Sequence, residues 1–335
     1  MADRGQGQAD TGDGRSVPRA VRRGAAQGLL IEEAPPVAAS IAEPEPQATG
    51  RRGKWRQDVA VFAGNRLALV SLILLVLIVL FCFVGPIIYR TNQSTATLLN
   101  ANLSPSSQFP LGTDPEGFDI LGRLMYGGQS TLEVALAVAV FSTGFGALFG
   151  AVSGYVGGAI DSFLMRIVDT MLAIPFLFLA VLIATLLSPT LLIVTVAISA
   201  VSWQSTARIV RSETLSLKTR DYVNAAAGFG SWHLRLVGRH ILPNTVGSIV
   251  VNATLKVATA ILLFAAVSFL GLGPPPPATS WGAMATVGVQ HLYDNSWWEL
   301  WPAAAAIGLT VIAVTLIGDG FYDVVARREG TKRAK

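Results

Sequence analysis

Charge is scarce in this chain of 335 residues, since 14% of the residues are charged and 52% are hydrophobic. Soluble domains carry about 25% charged residues. The charge is missing from long stretches that are apolar on every side, which suits lipid and excludes an ordinary water-soluble fold. The chain also has a single cysteine, Cys82, inside an apolar run. It therefore offers neither an intrachain disulfide nor a cysteine metal motif.

The sequence also has no phosphate-binding loop of the type G-x-x-x-x-G-K-[ST], because the only Gly-Lys pair, Gly53-Lys54, is followed by a tryptophan. Any energy from ATP must therefore come from another subunit. The histidines His233, His240 and His291 do not form a metal or nucleophile constellation. We expect no enzymatic activity, no metal and no cofactor in this chain. The basic residues form short clusters beside apolar runs, which argues against nucleic acid as a partner.

The apolar stretches predict an all-α integral membrane protein with about six transmembrane helices, since a helix needs roughly 20 apolar residues to cross the bilayer. The expected spans are residues 67–88, 132–155, 167–187, 190–209, 246–270 and 302–325. Pro175 interrupts the third span. The second contains Gly144, Gly146, Gly150 and Gly154, at spacings that let neighbouring helices approach closely.

The distribution of Lys and Arg predicts the orientation of the chain. Basic residues cluster before the first span, between the fourth and fifth spans, and after the sixth, whereas residues 271–301 contain none. Both termini and the 210–245 loop are therefore expected in the cytoplasm. Four tryptophans would then form an aromatic belt on the outer side: Trp281, Trp297, Trp298 and Trp301.

Composition divides the chain into four parts. Residues 1–55 are rich in Gly, Ala, Pro and Gln with few aromatics, which predicts a disordered cytoplasmic tail. It has no signal-peptide pattern, because the first long apolar run begins near Leu67. Residues 56–130 would hold the first span and an outer loop, residues 131–325 a core of five helices, and residues 326–335 a basic cytoplasmic tail.

The 218–246 segment is the polar stretch with the clearest pattern. We expect a short helix from Asp221 to Phe229, a break at Gly230, and a second helix capped by Ser231 and closed by Pro243. The alanines at 225–227 give the first helix a face with little bulk, which favours insertion into a partner's groove. A plain connector packed on its own bundle is the alternative.

Three short sequences mark this segment in order: Asn224-Ala225-Ala226, then Gly230, then Ile241-Leu242-Pro243. The order resembles the cytoplasmic EAA loop of binding-protein-dependent ABC importer permeases, in which Glu-Ala-Ala precedes a glycine and an Ile-x-Leu-Pro-like end. In that family the loop docks on the ATP-hydrolysing subunit. Asn224 departs from the acidic residue of the pattern, so the resemblance does not carry over any ion pair that this glutamate makes with the ATPase.

Further motifs narrow the resemblance to the C-type permeases of dipeptide and oligopeptide systems, over about residues 60–325. They are Pro110-Leu111-Gly112-Thr113-Asp114, Asp119-Ile120-Leu121, Asp161 with Asp169 and Pro175, Arg208-x-x-Arg211, Ser268-Phe269-Leu270-Gly271, Ser280-Trp281-Gly282 and Gly318-Asp319-Gly320. Taken alone, Gly112 and Asp114 predict a local turn. Arg166 and Asp169 predict an ion pair within one helix.

The resemblance implies a type I ABC importer permease with cytoplasmic coupling helices in the bacterial plasma membrane. Its partners would be a second homologous permease, two ABC ATPases, an extracytoplasmic peptide-binding protein and the lipid bilayer. The ATPase-docking residues would be Tyr222, Asn224, Ala225, Ala226, Gly230, Ile241 and Pro243. A secondary transporter is an alternative, although the spans hold few acids and no inverted repeat. A relative that carries nickel or glutathione is another.

Lys256 lies near the middle of the fifth predicted span, where a charge is costly unless it faces water, protein or a partner. It could line the translocation path and meet a substrate carboxylate. It could instead extend to the interface or pair with the partner subunit. We favour the second interpretation and expect the position to tolerate a small neutral residue.

Overall fold

The computed structural model describes residues 51–186, 190–228, 233–294 and 296–333. The predicted break at Gly230, the predicted cap at Ser231 and most of the predicted tail lie outside these residues. Within them the regular structure is helical. The α-helices are α1 Arg51–Gly64, α2 Arg66–Phe83, α3 Gly85–Ile88, α4 Ile120–Val156, α5 Gly158–Ala173, α6 Phe176–Leu186, α7 Leu191–Ala200, α8 Gln204–Lys218, α9 Asp221–Gly228, α10 His233–Leu236, α11 Leu242–Val267, α12 Trp281–Gln290 and α13 Trp297–Arg333.

Four helices of the described chain are long and apolar enough to cross a membrane. They are Arg66–Ile88, Ile120–Val156, Val237–Leu272 and Trp297–Arg327. Two bent pairs also qualify: α5 with α6, which meet at 90° beside Pro175, and α7 with α8, which meet at 40°. Counting each bent pair as one span gives up to six, as the sequence predicts.

Helix α1 begins at Arg51, so residues 51–55 of the predicted tail are helical in the structure. Asn65 separates α1 from α2: its Oδ1 accepts from the amide of Ala68 at 3.2 Å, and its Nδ2 donates to Asp323 at 3.0 Å. Phe62 packs against Phe321, with ring centroids 5.3 Å apart. These contacts connect the start of the first span with the end of the last one.

A ridge of glycines, Gly146, Gly150 and Gly154, lets α4 contact the backbone of α8. A Cβ added at these positions would lie 2.5 Å from the Trp203 carbonyl oxygen, 2.2 Å from that of Ala207 and 2.9 Å from that of Arg211, respectively. The predicted close approach is therefore confirmed at these three positions. At Gly144 an added Cβ would meet no atom within 4 Å, so this glycine takes no part in the contact.

The second span is longer than predicted, because α4 begins at Ile120 and the predicted boundary at residue 131 falls inside it. Residues 120–131 are less apolar than the rest, yet the Asp119 side chain caps the helix by accepting from the Leu121 amide at 2.8 Å. Arg123 in this first part is only 7% exposed. Protein contacts, rather than lipid, therefore support this end of the helix.

The prediction of an aromatic belt is wrong for one of its four tryptophans, Trp281. Trp281 is 1% exposed, and its indole N–H donates to the Leu124 carbonyl at 2.9 Å. It packs in a cluster with Cys82, Ile120 and Met284. Trp281 is thus a core residue that fixes α12 to α4, and Cys82 is a core residue as well.

The turn predicted at Gly112 and Asp114 is confirmed. Gly112 has φ of 79°, and the Asp114 carboxylate accepts from the amides of Glu116 at 3.0 Å and Phe118 at 2.8 Å. Burial raises the pKa of the Asp114 carboxyl, against the opposing effects of the Phe118 amide and the Arg123 charge. Within the run of prolines at 274–277, the chain turns at Pro276 and Pro277.

We predict that Gly150→Ala destabilises the protein by about 1–3 kcal/mol, because its Cβ would overlap the Ala207 carbonyl and force the two helices apart. Gly144→Ala is the matched control and leaves stability unchanged or slightly raised, since that side of α4 is open. Thermal denaturation of the purified protein in detergent measures both effects. Equal midpoints for the two variants would contradict the close contact.

Candidate functional site

The 218–246 segment leaves α8 by a tight turn and forms α9, which packs on the bundle through one side. Val223 is 1% exposed and belongs to a cluster with Tyr155, Val210, Leu236 and others of the bundle. The amides of residues 223 and 224 both donate to the Arg220 carbonyl, at 3.0 and 3.1 Å. Helix α9 is therefore held by its own chain, with its other side uncovered.

The predicted role of Pro243 is wrong, since this residue begins a helix instead of closing one. The five residues Val237–Ile241 form a π-helical turn between α10 and α11, and Pro243 lies in the first turn of α11. Proline is tolerated there because the first turn of a helix leaves its N–H groups unpaired. The Asn244 side chain donates to the His240 carbonyl at 2.6 Å. The segment thus runs directly into the fifth span.

The predicted docking residues fall into two sets in the structure. Tyr222, Asn224, Ala225 and Pro243 are exposed, with Tyr222 at 46%. The remaining described members pack inward.

Ile241 is fully buried, and the half-buried Ala226 packs against the same cluster as Val223. Ile241 and Ala226 therefore position the segment, whereas the exposed set is available to a partner. Gly230 lies outside the described residues, and its role stays a prediction.

A partly buried ion pair, in which the Arg211 side chain is 32% exposed, fixes α8 immediately before the segment. The Arg211 guanidinium donates to both oxygens of Asp161 on α5, at 2.6 and 2.5 Å, and the Ser153 hydroxyl donates to the same carboxylate at 2.6 Å. The Asp161 side chain is only 10% exposed. A bidentate pair of this kind sets both the distance and the orientation of the two helices.

Two further polar contacts support the same region. Asp169 pairs with Arg208 on α8, so the predicted pair with Arg166 is wrong. Both partners are about half exposed, at 53% and 52% of their side chains. The Lys218 ammonium, at the end of α8, donates to the Tyr155 carbonyl at 2.6 Å. The end of α8 is thus tied to the end of α4, from which α5 departs.

Lys256 has partners within its own chain, which neither interpretation from the sequence included. Its ammonium donates to the Ser202 carbonyl and to the Ser205 hydroxyl, both at 2.6 Å. Ser202 lies at the break between α7 and α8, where the backbone carbonyl has no regular helical partner. Lys256 therefore bridges the fifth span to the bend of the fourth.

The Asp161–Arg211 pair was not predicted as a contact, although both residues were recognised within motifs. Their signal in the sequence is an acid and a base in otherwise apolar helices, since such charges tend to pair inside the bundle. The sequence does not say which acid meets which base, because Arg208, Arg211, Asp161 and Asp169 allow several pairings. Only the packing of α5 against α8 selects one.

Comparison with known proteins gives matches over most of the chain. Residues 146–330 match the family model of the binding-protein-dependent transport system inner membrane component. Residues 54–105 match the N-terminal TM domain of oligopeptide transport permease C.

Individual relatives match between 78% and 87% of this chain. The chain is 37% identical to the oligopeptide transport system permease protein OppC of Bacillus subtilis, over 87% of this chain and 95% of the relative. It is 35% identical to the dipeptide transport system permease protein DppC of Bacillus subtilis, over 78% and 82%. It is 38% identical to the oligopeptide transport system permease protein OppC of Escherichia coli K12, over 82% and 91%.

We predict that Asp161→Asn lowers stability by about 1–3 kcal/mol, because Arg211 loses its charged bidentate partner while it remains largely covered. Asp169→Asn is the matched control on the same helix and changes stability by less than about 1 kcal/mol, since that pair is half exposed. Thermal denaturation in detergent compares the two. A larger loss for Asp169→Asn would contradict the assignment.

We predict that Lys256→Met lowers the free energy of unfolding by roughly 1–3 kcal/mol, because two charge-assisted hydrogen bonds are lost at the bend of the fourth span. Thr259→Val on the same helix removes only a bond to its own Leu255 carbonyl and serves as the control. Denaturation midpoints of the two variants measure the difference. An unchanged midpoint for Lys256→Met would show that the bridge contributes nothing.

Proposed function

The chain belongs to the family of binding-protein-dependent transport system inner membrane components, and from this membership we propose how it works. It is the permease subunit of an ATP-driven importer of dipeptides or oligopeptides and forms half of the translocation pathway. The relatives named above are permeases of oligopeptide and dipeptide systems, which favours peptides over nickel or glutathione. The family assignment removes the secondary transporter as an alternative.

The proposed partners follow from this role. A second, homologous permease completes the pathway, two cytoplasmic ABC ATPases supply the energy, and an extracytoplasmic binding protein delivers the peptide. The permease itself contributes no catalytic residue. The described residues hold no group of three or more His, Cys, Asp or Glu side chains that could bind a metal ion.

The proposed orientation places both termini and the 218–246 segment in the cytoplasm. Its support is the distribution of Lys and Arg, which are numerous around residues 208–239 and after residue 327 but absent from residues 271–301. With six spans the two termini lie on the same side. The 218–246 segment would then face the ATPases.

The observation that carries the proposal is the two-sided packing of α9. One side is held to the bundle by the buried Val223, and the opposite side exposes Tyr222 and Ala225. A short helix with small exposed side chains can enter a groove on a partner closely enough for van der Waals contact. Because α9 packs against α8 and α10, a push by the partner on α9 would move the helices of the bundle instead of bending a loose loop.

We predict that Ala225→Arg abolishes peptide uptake and peptide-stimulated ATP hydrolysis in the reconstituted complex. The long charged side chain would hold the docking surfaces apart, while the exposed position leaves the permease's own packing intact. Ala225→Ser, which stays small, retains at least half of both activities. Uptake into proteoliposomes and ATP hydrolysis are measured together, with binding protein and ATPases present.

Assembly with the second permease is the internal control, since none of the spans is changed. Full ATPase coupling in Ala225→Arg would mean that α9 is a connector without a docking role. Ala226→Arg is less informative, because Ala226 packs on the bundle and its substitution disturbs the permease itself.

A further inference from the structure

A cavity of about 310 Å³ lies between the outer turn at Asp114, the proline-rich turn, α12 and the beginning of α13. None of the proposed docking residues lines it. Part of its wall is apolar, formed by side chains such as Ile120, Met284 and Val287. Pockets of this size and mixed lining are typical of sites for small ligands.

Glu299 is the polar residue of this wall that has no explanation in the fold. Its side chain is 2% exposed, and neither carboxylate oxygen has a hydrogen-bond partner. A capping box would let it accept from the backbone amide of Ser296, three residues earlier, but it does not. A buried carboxylate without donors is costly, so its retention here points to a donor that enters the cavity.

His291 does not supply that donor. Its Nδ1 lies 3.0 Å from the Val287 carbonyl and therefore donates there, while it is 3.6 Å from the nearer oxygen of Glu299. The distance to the carboxylate is beyond a hydrogen bond. Because no hydrogen bond holds the Glu299 carboxylate in place, a small rotation of the side chain can present its oxygens to the cavity.

The charge of the wall favours a cation. Three carboxylates line the cavity, those of Asp114, Glu116 and Glu299, against the single guanidinium of Arg123. That guanidinium already lies 3.4 Å from Asp114 and 3.2 Å from Glu116, and it donates to the Pro277 carbonyl at 3.1 Å. Glu299 is left as the carboxylate without a hydrogen-bonded counter-charge.

We propose that this cavity binds a primary ammonium group, with Glu299 as its acceptor, and that the group is the amino terminus of the transported peptide. The identification of the peptide rests on the proposed function. An ammonium offers three donors and one positive charge in a small volume, which matches a buried carboxylate beside a cavity of this size. The apolar wall leaves room for the first side chain of the peptide.

The test uses the assembled importer, both permeases with their ATPases, in lipid nanodiscs without nucleotide. Saturation-transfer NMR measures the binding of triglycine and of N-acetyl-triglycine, in which an acetyl group on the terminal nitrogen removes the positive charge. We expect triglycine to bind at least tenfold more tightly. Glu299→Gln should weaken triglycine binding at least tenfold, whereas Glu133→Gln, an acid on α4 that does not line the cavity, should leave it unchanged.

Ala283→Leu fills part of the cavity without altering charge, and it should weaken triglycine at least tenfold as well. If Glu299→Gln fails to assemble, this variant decides the outcome. Equal affinities for the two peptides, or triglycine binding that survives both variants, would overturn the site and leave a cavity filled by water. Peptide uptake by the unaltered complex is measured alongside. Failure of uptake counts against the proposed function. Equal binding of triglycine and N-acetyl-triglycine by a complex that still takes up peptide counts against this site alone.

Discussion

The close contact between α4 and α8 is the constraint on which the rest of the arrangement depends. At Gly150 the two backbones meet without an intervening side chain, and the neighbouring glycines of the ridge extend the contact along the helix. In lipid there is little hydrophobic force between helices, so van der Waals contact between closely packed backbones contributes much of the free energy of helix association. The ridge thereby fixes the helix from which the 218–246 segment emerges.

The polar contacts of α8 depend on its position against α4, which the glycine ridge determines. Arg211 meets Asp161 because α8 lies against α4 and α5 turns back beside it, and Lys218 then reaches the end of α4. Helix α9 follows directly after the fixed end of α8, and its Val223 packs in one cluster with Tyr155 of α4 and Val210 of α8. A motion imposed on α9 from outside would therefore pass into α4, α8 and α11 together, as an importer that opens and closes its pathway requires.

Much of the architecture could be predicted from the sequence, because lipid demands long apolar helices and close packing demands small residues. The spans, the glycine ridge and the turn at Gly112 follow from such local rules. Contacts that depend on which helices meet could not be predicted: the partner of Asp169, the bridge made by Lys256 and the burial of Trp281. The role of Pro243 could not be predicted either, because a proline that ends one helix and a proline that begins another look alike in sequence. For the candidate site, the segment itself could be predicted from the sequence. The sequence does not show that Ala225 is exposed while Ala226 packs on the bundle, because this depends on how α9 lies against its neighbours.

The central claim is that the exposed side of α9 is covered by a partner while its other side stays on the bundle. Replacing the buried Cys82 by alanine leaves a chain without cysteine, into which Ala225→Cys introduces one thiol. The rate of thiol labelling by a polar maleimide is then measured for the permease pair alone and for the pair assembled with its ATPases. The account predicts fast labelling of the pair alone and at least tenfold slower labelling in the assembled complex. Equal rates in the two preparations would contradict it.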